Sequence, residues 1–211
     1  MKTDDLLTLL STDTVPVRPL KRALLLALGL GILLPALVML STIGMRPDLG
    51  SAILEPRVIA KLTITLMAAV FSVLLVFRIG RPGLPLGGHL LVLLLPAAVL
   101  AIAVTTELMV LPADRWMPSL IGRNAAFCLF FIPVLSSMPL AGFFWAMRDG
   151  APERPAWAGA ACGFGSAAIA ASLYAWHCPD DSPLFVATWY VIAITLVTLI
   201  GAAAGSRLLR W

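Results

Sequence analysis

Six long apolar stretches constrain what this chain can fold into more than any other feature of its sequence. A helix needs about 20 mostly apolar residues to cross a hydrocarbon core roughly 30 Å thick. Unpaired backbone groups are too costly in lipid, so each of these stretches must be helical. The predicted spans cover residues 23–43, 58–77, 90–111, 125–147, 156–177 and 184–206.

Composition agrees with this reading. Hydrophobic residues make up 60% of the 211 residues and charged residues only 12%, whereas a soluble domain is about 45–50% apolar and about 25% charged. We therefore predict an all-α, polytopic membrane protein, built as a six-transmembrane-helix bundle with short loops and a short cytoplasmic amino-terminal helix. Its predicted parts are an amino-terminal segment (1–22), the transmembrane domain (23–206) and a carboxy-terminal tail (207–211).

Basic residues predict the orientation of the bundle. With six spans both termini lie on one side, and the side richer in Lys and Arg is the cytoplasmic one. Ten of the 15 basic residues lie on the terminal side and four on the other, with Lys61 inside the second predicted span. We expect both termini in the cytoplasm, and the net charge of +4 then calls for no nucleic-acid partner.

Depth in the membrane separates the three cysteines. At about 1.5 Å per helical residue, Cys128 lies roughly 6 Å below the outer surface and Cys178 lies at the outer end of the fifth span. Cys162 is 16 residues before Cys178, roughly 24 Å toward the cytoplasm. Only Cys128 and Cys178 are therefore expected to meet.

Two kinds of chemistry suit that pair in an oxidising compartment. The thiols could form a disulfide, or they could bind a thiophilic metal ion transiently with His177 and Asp180 or Asp181 completing the shell. The alternative is that these cysteines only pack, which is the expectation for Cys162. No Cys-x-x-Cys motif is present, which argues against a thiol oxidoreductase.

Lys61 and Glu107 are the charged residues well inside the predicted spans. Their similar depth predicts a structural ion pair between the second and third spans, because an unpaired charge there is expensive. A proton or ion relay is the alternative, but a relay would need more acidic groups than these spans contain.

Small residues and prolines give two further predictions. Gly159 with Gly163, and Gly201 with Gly205, form GxxxG spacings that favour close packing of the last two spans. Prolines are expected to interrupt three spans, as in transporter binding sites or as ordinary packing kinks. These are Pro35, Pro96, Pro133 and Pro139.

The amino-terminal segment differs from the rest of the chain. Thr3 or Asp4 can cap a short helix whose leucines gather on one face. A helix that lies on anionic lipid should be rich in Lys and Arg, whereas this one is acidic, so a basic protein groove is the better partner. A flexible tail is the alternative. The predicted partner-binding residues are Asp4, Asp5, Leu6, Leu7, Leu9 and Leu10.

Three classes of function are compatible with these features. A signalling protein needs no catalytic residues, and the sequence contains no nucleophile with a partnered base and no phosphate-binding loop. A small-solute or metal-ion transporter would be expected to have a polar route across the membrane. A membrane redox enzyme would need cofactor ligands or a cysteine relay. We expect no enzyme activity and no resident cofactor.

Several motifs resemble those of the NrsF-type family of bacterial membrane proteins. They are the opening M-K-T-D-D-L-L, R-N-x-x-x-C at 123–128, S-S-M-P-L at 136–140 and H-C-P-D-D-S-P-L-F-V-A-T-W-Y at 177–190. The resemblance implies a six-span anti-sigma factor of the bacterial inner membrane. It would hold an extracytoplasmic-function (ECF) sigma factor on the cytoplasmic side and release it under heavy-metal or oxidative stress. It also implies that Cys128 and Cys178 take part in that response.

Overall fold

The computed structural model describes residues 19–81, 83, 87–150 and 152–210, and this part of the chain is helical with no strand. Six helices are long and apolar enough to cross a membrane, which confirms the predicted fold class of a multi-pass α-helical membrane protein. We number them spans 1 to 6. They are Leu20–Thr42, Pro56–Ile79, Gly87–Val110, Ala125–Met147, Pro155–Tyr174 and Pro183–Leu208.

Proline and glycine residues set several helix boundaries. Spans 2, 5 and 6 each begin with a proline in the first turn, where a missing backbone N–H costs nothing. Gly122 has a φ of +59° and separates the short helix Ala113–Ile121 from span 4. That conformation is readily adopted by glycine because it has no Cβ.

Span 5 forms the centre of the bundle and span 3 its periphery. In span 5, 67% of the most apolar window is buried, against 6% in span 3. Span 5 is rich in alanine and glycine, so neighbouring helices can approach its backbone closely. Span 3 therefore exposes most of its surface to the surrounding lipid.

Glycines bring spans 5 and 6 into backbone contact, which confirms the packing predicted from the GxxxG spacings. A Cβ added to Gly159 would lie 2.2 Å from the carbonyl oxygen of Gly201, and one added to Gly201 would lie 2.4 Å from that of Gly159. A Cβ added to Gly163 or Gly205 would lie 2.6 Å from the facing backbone. Any side chain at these positions must push the two helices apart.

The prolines interrupt fewer helices than predicted. Spans 1 and 4 remain continuous through Pro35, Pro133 and Pro139, so broken helices are wrong for these two spans, and ordinary packing prolines are the alternative that remains. Neighbouring groups in a membrane bundle can compensate for the lost backbone bond, and Pro139 packs where a Cβ on Gly31 would lie 2.8 Å away. Span 3 does break, because its first helix ends at Val92, the residue whose carbonyl the ring of Pro96 would strike.

The buried side chains form two clusters at opposite ends of the bundle. Leu20 packs beside Gly80 and Gly150, so the connections after spans 2 and 4 lie beside the start of span 1, and we name this the terminal end. Its cluster includes Cys162. The cluster at the other end, which we name the loop end, includes Cys128 and Cys178.

Candidate functional site

The connection between spans 5 and 6, residues 175–182, organises the loop end. We name it the acidic loop. Its sequence, A-W-H-C-P-D-D-S, contains every predicted metal or redox residue except Cys128. Side chains from the other connections and spans at this end converge on it, so the loop is held by contacts to several different elements.

Lys61 of span 2 binds the acidic loop through its ammonium group. Its side chain is 1% exposed, and its ammonium group donates to the carbonyl oxygen of Cys178 at 2.6 Å and to that of Asp180 at 3.4 Å. It also forms an ion pair with the carboxylate of Asp181. A buried ammonium needs such partners because desolvation would otherwise be very costly.

Arg46 joins the connection between spans 1 and 2 to the same carboxylate. Its guanidinium lies 2.7 Å from Asp181 Oδ2 and contacts both oxygens of Asp48, at 2.7 and 2.8 Å. This is the paired geometry in which an arginine bonds a carboxylate most strongly. Asp181 therefore bridges Lys61 and Arg46 and links three separate parts of the chain.

The predicted ion pair between Lys61 and Glu107 is wrong, because each residue has a different partner. Glu107 of span 3 pairs with Arg57, Nη2 to Oε1 at 3.0 Å, and accepts a hydrogen bond from Ser182 at 3.3 Å. The prediction considered only charged residues within the spans, and Asp181 lies in a connection between two of them. Asp181 is closer because the acidic loop turns inward onto span 2 and supplies the carboxylate itself.

Asp180 fixes the start of span 4. One of its carboxylate oxygens accepts hydrogen bonds from the backbone N–H of Arg123 at 3.0 Å and of Asn124 at 2.8 Å, and from the Asn124 side chain at 2.9 Å. Arg123 and Asn124 directly precede the first helical residue, Ala125, and a carboxylate is favoured there because the amino-terminal end of a helix carries partial positive charge.

His177 is also occupied within the protein. Its Nδ1 lies 3.0 Å from the carbonyl oxygen of Gly44. A carbonyl can only accept, so this nitrogen carries the proton. The bond ties the acidic loop to the turn that ends span 1.

The four predicted metal ligands are therefore not gathered into one shell. Among the described residues, no group of three or more His, Cys, Asp or Glu side chains is placed to hold a metal ion. Cys128 and Cys178 are brought together, but His177 and Asp180 point to other partners. Closeness in sequence does not place His177 and Asp180 in one metal shell with Cys178, because a loop directs successive side chains in different directions.

Cys128 and Cys178 lie side by side, as their depth predicts. Both are free thiols with no exposed surface, and the two groups lie within hydrogen-bonding range of each other. Cys162 belongs to the cluster at the terminal end. The six predicted partner-binding residues of the amino-terminal segment lie outside the described residues.

Two tyrosines complete the surroundings of the thiol pair. Tyr174 and Tyr190 are 0% and 1% exposed, and both belong to the same buried cluster as the two cysteines, close enough to be affected by their charge. Their hydroxyl groups have no hydrogen-bond partner among the described residues. The thiols thus sit in a closed compartment walled by aromatic rings, with the Lys61 ammonium on the carbonyl side of Cys178.

These surroundings favour the reactive form of one thiol. The hydrogen bond from Cys128 lowers the pKa of Cys178, burial opposes this shift, and the positive charge of Lys61 adds to it. A thiolate is the form that attacks oxidants and binds soft metals. The pair can therefore close a disulfide on two-electron oxidation or supply two sulfur ligands.

Sequence reasoning missed the residues that support this pair. Arg46 and Asn124 contact the acidic loop, Tyr190 lies beside the thiols, and Ser182, within the loop, bonds it to Glu107 of span 3. Asn124 and Ser182 belong to motifs noted in the sequence, and Tyr190 closes one of them. Only Arg46 carried a signal of its own, as a basic residue on the side poor in basic residues.

Comparison with known proteins agrees with the resemblance seen in the motifs. The family model described as negative regulator of sigma F matches residues 10–211. Anti-sigma-F factor NrsF of Caulobacter vibrioides is 36% identical over 219 residues, covering all of both chains. Probable anti-sigma-F factor NrsF of Azospira oryzae is 33% identical over 214 residues, again covering all of both. No solved structure is significantly similar. Similarity over this whole length shows that the chain belongs to the NrsF family of negative regulators of sigma F.

Proposed function

We propose that this protein is an anti-sigma factor that holds an ECF sigma factor at the bacterial inner membrane and releases it under heavy-metal or oxidative stress. The observation that carries this proposal is full-length similarity to two relatives whose names describe anti-sigma-F factors. The six spans supply the membrane anchor. A regulator of this kind binds its partner and requires no catalysis.

We propose the thiol pair of Cys128 and Cys178 as the sensor. Oxidation would remove two protons and two electrons from the thiols, form one sulfur–sulfur bond and reduce an external oxidant such as a peroxide. A thiophilic metal ion would instead displace the two protons and bind both sulfurs. Either event uses groups that are already adjacent, whereas a four-ligand shell would first have to break the bonds of His177 and Asp180.

The contacts of the acidic loop suggest how the signal could spread. Cys128 belongs to span 4, and the loop that contains Cys178 is bonded to span 2 through Lys61 and to span 3 through Ser182. A bond between the sulfurs would pull on these contacts together. To cause release, the signal must favour one arrangement of the bundle over another, and the loop touches enough elements to do so.

Exchange of both cysteines tests the sensor. The double variant C128S/C178S is expected to keep the sigma factor inactive but to lose induction by metal or oxidant, measured with a sigma-dependent reporter. Variant C162S is the matched control, because that thiol is buried in the other cluster, and it should respond normally. Normal induction in the double variant would remove the sensor role.

Deletion of residues 1–13 tests where the partner is held. We propose that Leu6, Leu9 and Leu10 dock in an apolar groove of the sigma factor while Asp4 and Asp5 meet basic residues. The shortened chain should lose co-purification of the sigma factor and should no longer repress. The quadruple change L6S/L7S/L9S/L10S, with D13N as control, separates the leucine face from the length of the tail. Undiminished co-purification after deletion would contradict this assignment.

A further inference from the structure

A groove opens between spans 2, 3, 5 and 6 at the terminal end of the bundle. Its volume is about 490 Å³, which is within the range of small-molecule sites. The wall is apolar and includes Leu75, Leu93 and Phe164, with Trp157 at the rim. Span 3 is the most exposed of the six helices, so the groove faces the surrounding bilayer.

The mouth of the groove is positively charged. Arg81, Arg154 and Glu153 line it. The Glu153 carboxylate accepts a hydrogen bond from the backbone N–H of Gly83 at 2.8 Å. The guanidinium groups of Arg81 and Arg154 form no ion pair with the described residues. An anionic ligand at the mouth would therefore meet two guanidinium groups against one carboxylate, and it would not have to break an ion pair among the described residues.

The depth of the groove equals one leaflet. Phe164 of span 5 lies ten residues after Arg154, the residue that precedes the helix. Ten helical residues rise about 15 Å at 1.5 Å per residue. On span 6, Thr198 lies ten residues before the end at Leu208, and its hydroxyl is already bonded to the carbonyl of Ile194. Half of a hydrocarbon core roughly 30 Å thick has the same depth.

We propose that this groove binds an anionic phospholipid from the leaflet at the terminal end. One acyl chain fills the apolar wall between span 3 and span 5, and the phosphate and acidic headgroup lie between Arg81 and Arg154. Basic pockets between membrane helices bind such headgroups in the same way. The bound chain also supports span 3, which has little contact with the rest of the bundle.

A second groove in the same bundle provides an internal comparison. It lies between spans 1, 2 and 5, has a volume of about 350 Å³, and is lined by residues such as Leu66, Val70 and Ile169. It has no charged residue in its wall or at its mouth. Any acyl chain can enter it, so it should not distinguish anionic from neutral lipid.

The test measures lipid retained by the full-length protein. Protein reconstituted with equal amounts of phosphatidylglycerol and phosphatidylethanolamine is extracted into mild detergent, and bound lipid is identified by native mass spectrometry. Wild-type protein should retain phosphatidylglycerol preferentially. The double variant R81Q/R154Q should lower that preference about thirtyfold, because each cation near an anionic surface contributes about fivefold. Variant R207Q/R210Q removes two cations at the same end but outside the groove and should leave the preference unchanged.

A filled groove gives an independent readout. Variant A160F places a ring in the charged groove and should reduce total retained phosphatidylglycerol, while V70F fills the second groove and should not. Equal retention of the two lipids by wild-type protein, or equal losses in R81Q/R154Q and R207Q/R210Q, would overturn the proposal. Increased retention after deletion of residues 1–13 would also overturn it, since the tail would then be the occupant.

Discussion

The two ends of the bundle are held together by different physical means. At the loop end, side chains with full charges bridge separate segments, as Asp181 does between Lys61 and Arg46. At the terminal end, spans 5 and 6 meet through bare backbone at Gly159 and Gly201. Charged side chains can exchange partners with small movements, whereas close backbone contact leaves two helices little room to shift against each other. The loop end can therefore rearrange locally, whereas the closely packed spans 5 and 6 are expected to move together as one unit.

The largest effect on stability is expected at Asp181, the carboxylate that pairs with both Lys61 and Arg46. Variant D181N should lower the free energy of unfolding by about 3–5 kcal/mol, because it leaves the buried ammonium of Lys61 without a counter-ion. Variant K61M should cost less, since Asp181 keeps its pair with Arg46. Thermal unfolding in detergent measures both. Variant D114N is the control, because Asp114 is 78% exposed and its distance to Arg115 is 3.8 Å.

If K61M proved more damaging than D181N, the carbonyl groups of Cys178 and Asp180, rather than the carboxylate, would be the partners that matter. The comparison of the two ends would then need revision, because the loop end would also depend on backbone contacts.

A smaller effect is expected at the terminal end. Variant G159A must move span 6, since the new Cβ would lie 2.2 Å from a carbonyl oxygen, and overpacking of this kind costs about 1–3 kcal/mol. Variant G29A is the matched control, because a Cβ there meets nothing within 4 Å. The unfolding temperature reports both. An unchanged temperature in G159A would mean that the two helices can separate freely.

Within the loop end, the ion pair of Arg57 should matter less than that of Asp181. The Arg57 side chain is 49% exposed, so water solvates it and salt screens its charge. The buried Glu107 keeps its hydrogen bond from Ser182 when Arg57 is removed, so the loss should stay near the value for exposed pairs, about 0.2–1 kcal/mol. Variant R57Q should therefore shift the unfolding temperature only slightly, and the shift should shrink in high salt. A loss as large as that of D181N would show that Glu107 needs Arg57 as strictly as Lys61 needs Asp181.

Length, hydropathy and depth predicted much of this arrangement. Six spans follow from apolar length, and adjacency of Cys128 and Cys178 follows from counting helical rise, because both quantities depend on position along the chain alone. Which partner each charged side chain takes does not follow from position along the chain. Lys61 was paired with Glu107 on equal depth, but the turn of the acidic loop presents Asp181 instead. Whether Asp180 caps a helix or binds a metal depends likewise on loop conformation, which hydropathy does not encode.

The smallest predicted effect concerns the contact between Arg46 and Asp48 at the loop end. Arg46 holds the pKa of Asp48 below its ordinary value of 3.8 through a direct hydrogen bond. A lowered pKa stabilises the fold when the carboxylate is charged, so this contribution is complete above pH 3.8 and is lost as the pH falls through the folded pKa. Between neutral and acid pH, D48N should lose less thermal stability than wild-type protein, and salt should reduce the difference because Asp48 is exposed. An identical acid response in both proteins would mean that the contact between Arg46 and Asp48 adds nothing to stability, and the bridge from Lys61 through Asp181 to Arg46 would then not depend on Asp48.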